Sequence, residues 1–207
     1  MYAARNPGVR AGFLLRAEAD VDDEDVRLML AFQAGQSGAF DALFRRWAAP
    51  LLRYLERMLG DAASAEELVQ ESFLRVFNAR DRYAPDARFS TWLFTIATNL
   101  ALNELRRPRR RAPHRSTEAA EEEGSPLPLE STEPRADDVV DARRRGAAVE
   151  RELQDLPERQ RAALWLTAVE GLSYAEVAEA LEATEKSVKA LVHRARAALA
   201  DRLQGSE

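Results

Sequence analysis

Three observations predict an all-α fold of two small helical domains. Ala, Leu, Glu and Arg dominate the 207 residues and extended β-branched runs are missing, a composition that favours helix. Apolar residues recur at i, i+3, i+4 and i+7 in several stretches. Between those stretches lies a polar segment, 108–138, rich in Pro, Ser and acidic residues. It has too few large apolar groups to offset the entropy of folding, so it reads as a flexible acidic linker. The predicted bodies span 21–107 and 139–207, with residues 1–20 as an N-terminal tail.

Composition excludes several classes of function. Hydrophobic residues make up 46% and charged residues 31% of the chain, enough apolar material for cores. With no Cys, and only His114 and His193 as imidazoles, neither a metal site nor any other cofactor is expected. No apolar run approaches the about 20 residues that span a bilayer, and Ala11 to Leu15 is too short for a signal-peptide core. A cytoplasmic protein without stable membrane insertion is therefore expected. The net charge of −5 conceals a basic block at 106–115 and an acidic one at 118–138. Lysine occurs only at positions 186 and 189.

In the N-terminal body, Asp22 to Ala34 predicts a first helix and Ala39 to Leu59 a second. The second carries Phe40, Leu43, Phe44, Trp47, Leu51, Tyr54 and Leu55 on its apolar side, and Gly60 is placed to end it. Ser64 with Glu67 fits a capping box for a third helix running to Asn78. Its core face holds Ala65, Leu68, Val69, Phe73, Val76 and Phe77, and its outer face Glu67, Gln70, Glu71 and Asn78. After a polar loop, Ser90 to Arg107 predicts a long helix with Trp92, Leu93, Ile96, Ala97 and Leu100 inward. Thr95, Asn99, Asn103 and Arg106 lie on its other side.

The C-terminal body contains SYAEVAEALEATEKSVKALVHRAR, Ser173 to Arg196, the pattern of a helix-turn-helix. Ser173 and Glu176 form a capping-box pair, and Tyr174, Val177, Ala178 and Leu181 make the first inward stripe. Thr184 can cap the second helix. Val188, Leu191, Val192, Ala195 and Leu199 face inward there, leaving Lys186, Lys189, His193 and Arg196 along another face. Cations on a groove-sized helix suit phosphates and base edges, although an ordinary amphipathic hairpin would also carry a charged outer face. Pro157 suits a helix first turn, and Leu164, Trp165 and Leu166 begin a run that should lie under the helix-turn-helix.

The segments AEELVQESFLRVF (65–77), FSTWLFTIATNLALNELRR (89–107) and LPERQRAALWL…EGLSYAEVAEAL…SVKALVHRAR (156–196) resemble bacterial RNA polymerase sigma factors, and among them the extracytoplasmic-function (ECF) group. The resemblance implies a non-enzymatic promoter-specificity subunit with no catalytic residues. It binds core polymerase through the β′ clamp helices and the β subunit, reads −10 and −35 promoter elements, and is regulated by an anti-sigma factor. Position by position, it implies Glu67, Gln70, Glu71 and Leu74 for polymerase docking, with a merely solvated acidic face as the competing reading. For the melted −10 strand it implies Tyr83, Arg88, Phe89, Asn99, Asn103 and Arg106. Trp92 is read as core, and Phe89 as either core or a stacking platform. For the −35 duplex it implies Lys186, Lys189, His193, Arg194 and Arg196, with Lys189 and Arg196 foremost. The arginines at 106, 107, 109, 110, 111 and 115 would hold DNA backbone, and the acidic linker would mimic nascent RNA or simply stay extended. One departure is Glu182, where the family often has Gly in the turn; a left-handed Glu there would be strained by about 1 kcal/mol.

Two other functions fit parts of the chain. A conventional helix-turn-helix regulator explains the C-terminal body but not the aromatic, Asn and Arg helix before the linker. A DNA-acting enzyme would need a carboxylate cluster, a phosphate-binding glycine loop or a histidine with a nucleophile partner, and none is evident in the sequence.

Overall fold

The computed structural model describes residues 24–36, 38–107 and 152–204, and every regular element among them is helical. Helix α1 (Glu24–Gln33) lies within the predicted Asp22 to Ala34, whose first two residues fall outside the described ones, and Glu24 and Asp25 stand in its first turn, where carboxylates face the positive helix end. Helix α2 (Ala39–Leu59) has the predicted bounds. Gly60 ends it at φ 70°, with its N–H donating to Glu56 O at 2.8 Å, a left-handed cap that glycine adopts without strain.

Helix α3 (Ala62–Asn78) starts before the expected Ser64 cap. Asp61 is the N-cap instead, its carboxylate accepting from the Ser64 N–H at 2.9 Å. An aspartate three residues upstream satisfies the free amide and places its charge at the helix N-terminus, so Ser64 lies inside the helix. A 3₁₀ turn (Arg80–Arg82) leads to α4 (Phe89–Arg106).

Residues 152–154 are helical and precede α5 (Glu158–Ala168), for which Pro157 is the N-cap and not the first helical residue. The predicted capping box opens α6 (Tyr174–Ala180): Ser173 Oγ accepts from Glu176 N–H at 3.2 Å, and Glu176 Oε2 accepts from Ser173 N–H at 2.8 Å. Thr184 caps α7 (Glu185–Gln204), its hydroxyl accepting from Ser187 N–H at 3.2 Å. Between them Glu182 sits at φ 47°. Its N–H donates to Glu179 O, and that of Ala183 to Ala178 O at 2.8 Å, the paired bonds of a Schellman turn. The glutamate thus occupies the left-handed position that glycine usually takes.

In the N-terminal body α2 packs on α1, α3 and α4, and in the C-terminal body α5, α6 and α7 pack on one another. The two bodies also touch: α4 packs against α6 and α5, and α2 against α5, so the buried apolar cluster runs through both. This explains why α4 is buried on more than one side, with Phe89, Thr91, Leu93, Phe94, Ala97, Thr98 and Leu102 all inaccessible. Tyr54 shares a 2.7 Å hydrogen bond with Thr98 in this core, and burial pushes the phenol well above its ordinary range.

Two residues assigned to the core from periodicity are at the surface. Phe44 is 41% and Phe77 48% exposed, because α2 and α3 turn their outer edges to solvent where no further helix covers them among the described residues. The expected tail (1–20) and linker (108–138), together with Arg109, Arg110, Arg111 and Arg115, lie outside the described residues.

Candidate nucleic-acid and polymerase interfaces

The helix-turn-helix presents its cations outward. Lys186, Lys189, His193, Arg194 and Arg196 are all exposed on α7, while Val188, Leu191, Val192 and Ala195 are buried beneath. Lys186, Lys189, His193 and Arg196 recur three and four residues apart and so share one face, with Arg194 to its side. Tyr174, expected in the core, is half-buried, and its ring lies under Lys189 with Nζ 5.7 Å from the centroid. A cation over a ring face loses some of its freedom, so α6 supports the reading helix.

A second surface runs along α4. Arg88, Trp92, Asn99, Asn103 and Arg106 follow one another at helical spacing, with Arg88, Asn103 and Arg106 exposed and Trp92 and Asn99 half-buried. Phe89 is 0% and Tyr83 8% exposed, so both lie beneath this surface instead of on it. Phe89 packs between Trp47 (6.5 Å between centroids) and Trp92 (6.0 Å), and Tyr83 packs on Trp92 at 5.1 Å. The accessible aromatic is therefore Trp92, expected in the core. One turn of displacement separates the two roles, and helical periodicity alone does not choose between them. Gln33 went unremarked in the sequence, yet its Nε2 donates to Arg80 O at 3.0 Å and Tyr83 O at 3.1 Å. It pins the loop before α4 to α1. A polar side chain in the last turn of an apolar helix was the signal.

A third surface lies on α3. Glu67, Gln70, Leu74 and Phe77 are exposed at intervals of three and four, and Glu71 is half-buried in an ion pair with Arg75 at 2.8 Å. Leu74 is 53% exposed. Phe44 packs beside this stripe against Phe73 in a tilted pair at 4.8 Å, and Phe77 meets Phe40 edge to face at 5.4 Å. Large apolar side chains grouped at the surface and edged by carboxylates make this stripe a candidate interaction site. No cluster of His, Cys, Asp or Glu able to hold a metal ion occurs among the described residues. No described helix is long and apolar enough to cross a membrane.

Family models match these two bodies in order. Sigma-70 region 2 matches residues 43–111, and Sigma-70, region 4 matches residues 146–199. The chain is 32% identical over 185 residues to the RNA polymerase sigma-H factor of Pseudomonas aeruginosa, covering 88% of this chain and 95% of that protein. The chain belongs to the sigma-70 family. Within it the ECF group fits: the ECF RNA polymerase sigma-E factor of Salmonella typhimurium is 31% identical over 184 residues, 87% of this chain and 94% of that one. The solved structure of CnrH in complex with the cytosolic domain of CnrY has the same fold, with a TM-score of 0.64 and 26% identity over 88% of this chain and 99% of that chain. This ECF sigma factor accordingly places its region 2 match on the body with the α3 and α4 surfaces, and its region 4 match on the helix-turn-helix.

Proposed function

We propose that this sigma factor binds core RNA polymerase, directs it to promoters through −10 and −35 elements, and promotes initiation without chemistry of its own. One observation carries the reading: two exposed faces of different chemistry, each suited to nucleic acid, occur on two bodies of one chain. The α7 face is cationic and groove-sized, suited to duplex, through Lys186, Lys189, His193, Arg194 and Arg196. The α4 face combines a half-exposed indole with Asn99, Asn103 and the guanidinium groups of Arg88 and Arg106, suited to splayed bases that stack and offer their edges. Tyr83 and Phe89 support Trp92 from below. A conventional regulator has no use for the second surface.

Polymerase docking is assigned to the α3 stripe of Glu67, Gln70, Glu71 and Leu74, extended by Phe44 and Phe77, against the β′ clamp helices, with the β subunit as a further contact. An anti-sigma factor is the expected regulator, a reading supported by the second polypeptide in the CnrH complex. The protein acts in the cytoplasm, with no cofactor or catalytic residue. In vitro transcription with purified core polymerase over a promoter library tests this. Specific starts that depend on the protein are expected; failure to bind core or to direct any specific start refutes it.

A further inference from the structure

We propose that Gln33, in the last turn of α1, is the positioning residue of the loop before α4: it sets the indole of Trp92 and thereby which base of the melted strand is accepted. The consequence for DNA rests on the functional reading above, the arrangement on geometry alone.

A primary amide carries two N–H donors, and Gln33 Nε2 donates to the carbonyls of Arg80 at 3.0 Å and Tyr83 at 3.1 Å. These two oxygens lie at either end of the 3₁₀ turn Arg80–Arg82, where Arg80 O also accepts the Tyr83 N–H at 3.3 Å. The last turn of α1 takes hold of Arg80 a second time, because the Arg80 guanidinium lies over the Phe32 ring at 5.4 Å. Phe32 is 7% exposed and packs on Phe40 at 5.0 Å and on Phe77 at 5.3 Å. The helix end that carries both residues is itself closed. Gly35 sits at φ 83°, its N–H donates to Phe32 O at 3.0 Å, and the Gln36 N–H donates to Ala31 O at 3.0 Å, the paired bonds of a Schellman motif. The part-buried amide of Gln33 therefore stands on a fixed base and holds the loop across 47 and 50 residues of sequence.

That hold reaches the accessible aromatic in one step. The Tyr83 ring packs on Trp92 in a tilted pair at 5.1 Å, and Phe89 meets the same indole edge to face at 6.0 Å. Residues 84–88, between Tyr83 and the start of α4, form neither helix nor strand, so the course of this stretch is set by its two ends. A base drawn out of the stack needs a platform and an edge partner in fixed relation, and such constellations work only when held to within about 0.5 Å by supporting contacts. Loss of the amide leaves α3, α4 and α7 in place but frees the Tyr83 end of the loop. Strand capture then becomes slower and less selective.

Gln33→Met keeps the length of the side chain and removes both donors. It should leave affinity for core polymerase and for upstream duplex unchanged, and slow the appearance of permanganate reactivity roughly three- to tenfold, the scale of one lost hydrogen bond. Preference among bases at the captured −10 position, read from a promoter library, should narrow. Fluorotryptophan incorporated at the three tryptophans reports the geometry without DNA: the Trp92 resonance, identified by its loss in Trp92→Phe, should shift or broaden while that of Trp165 stays. Gln33→Asn keeps the amide but is one methylene too short to reach both carbonyls; it should behave like Gln33→Met, and it decides if the latter loses helix content by circular dichroism. A lowered melting temperature with wild-type opening and base preference would show a merely structural role and overturn the proposal. An unmoved Trp92 resonance overturns the positioning, and a moved resonance with unaltered base preference overturns the role in selection. If the wild type directs no specific start, the functional reading falls, while the resonance still decides the positioning.

Discussion

The Thr91 hydroxyl donates to Glu176 across 2.7 Å, while the other oxygen of the same carboxylate accepts the Ser173 N–H at 2.8 Å. One side chain therefore starts α6, the first helix of the helix-turn-helix, and ties it to α4, the helix proposed to take the −10 strand. Local helix capping and domain closure share an atom group, so a change at Glu176 is felt in both.

The first prediction concerns pH. Burial by itself raises the Glu176 carboxyl, but the bonds from Thr91 and Ser173, helped by the nearby Arg88 guanidinium, hold it below its ordinary 4.5. A depressed carboxylate stabilises the folded state above about pH 4.5 and loses that contribution as pH falls through the lower folded value. Glu170 and Glu179 act in the opposite sense. Burial raises both, with Trp165 and Arg53 partly offsetting it at Glu170 and Glu176 adding to it at Glu179. The contrast between wild type and Glu176→Gln isolates the first effect. Urea unfolding should show a stability difference that is largest near neutrality and shrinks below pH 4.5; a difference independent of pH would sink the assignment.

The second concerns the turn. Glu182 holds φ 47° in a Schellman motif, a conformation costing an L-residue about 1–2 kcal/mol. Glycine removes that strain but gains about 0.5–1 kcal/mol of freedom in the unfolded chain. Glu182→Gly should therefore stabilise by up to about 1.5 kcal/mol, read as a melting temperature higher by a few degrees. A lowered melting temperature would show that the carboxylate contributes something the backbone argument omits.

The third divides the DNA contacts. Lys189→Ala with Arg196→Ala should weaken binding to upstream duplex and reduce the salt slope by about 2. Asn99→Ala and Trp92→Ala should leave duplex affinity intact and reduce permanganate reactivity of the melted strand. Phe89→Ala, at a site with no exposure, should instead cost about 3–5 kcal/mol of stability. The reverse partition in the two assays would refute the division between α7 and α4.

The local features were legible because their causes are local. The capping box at Ser173, the glycine end of α2 and the inward stripe of α7 all depend on residues within a turn or two of each other. The alternation of helical stretches and polar segment also foretold the all-α class. Misreadings arose where two nearby residues competed for one role. Asp61 displaced Ser64 as a cap because the aspartate accepts the Ser64 N–H itself and starts the helix about one turn earlier, and Trp92, read as core, took the accessible place that had been left open for Phe89.

What no window of sequence contained was contact between residues far apart. Phe44 and Phe77 satisfy the apolar periodicity of α2 and α3, yet whether an apolar position is covered depends on which helix arrives over it, and there none of the described helices does. Arg161 reads in the sequence as one more arginine in a charged helix; its burial against the end of α2 follows only once the bodies meet across about a hundred residues of chain. Helix identity and end geometry are set by short-range sterics and hydrogen bonding, which the residues carry with them. Burial, the closure of the two bodies and the double duty of Glu176 come from long-range packing, which exists only in the assembled fold.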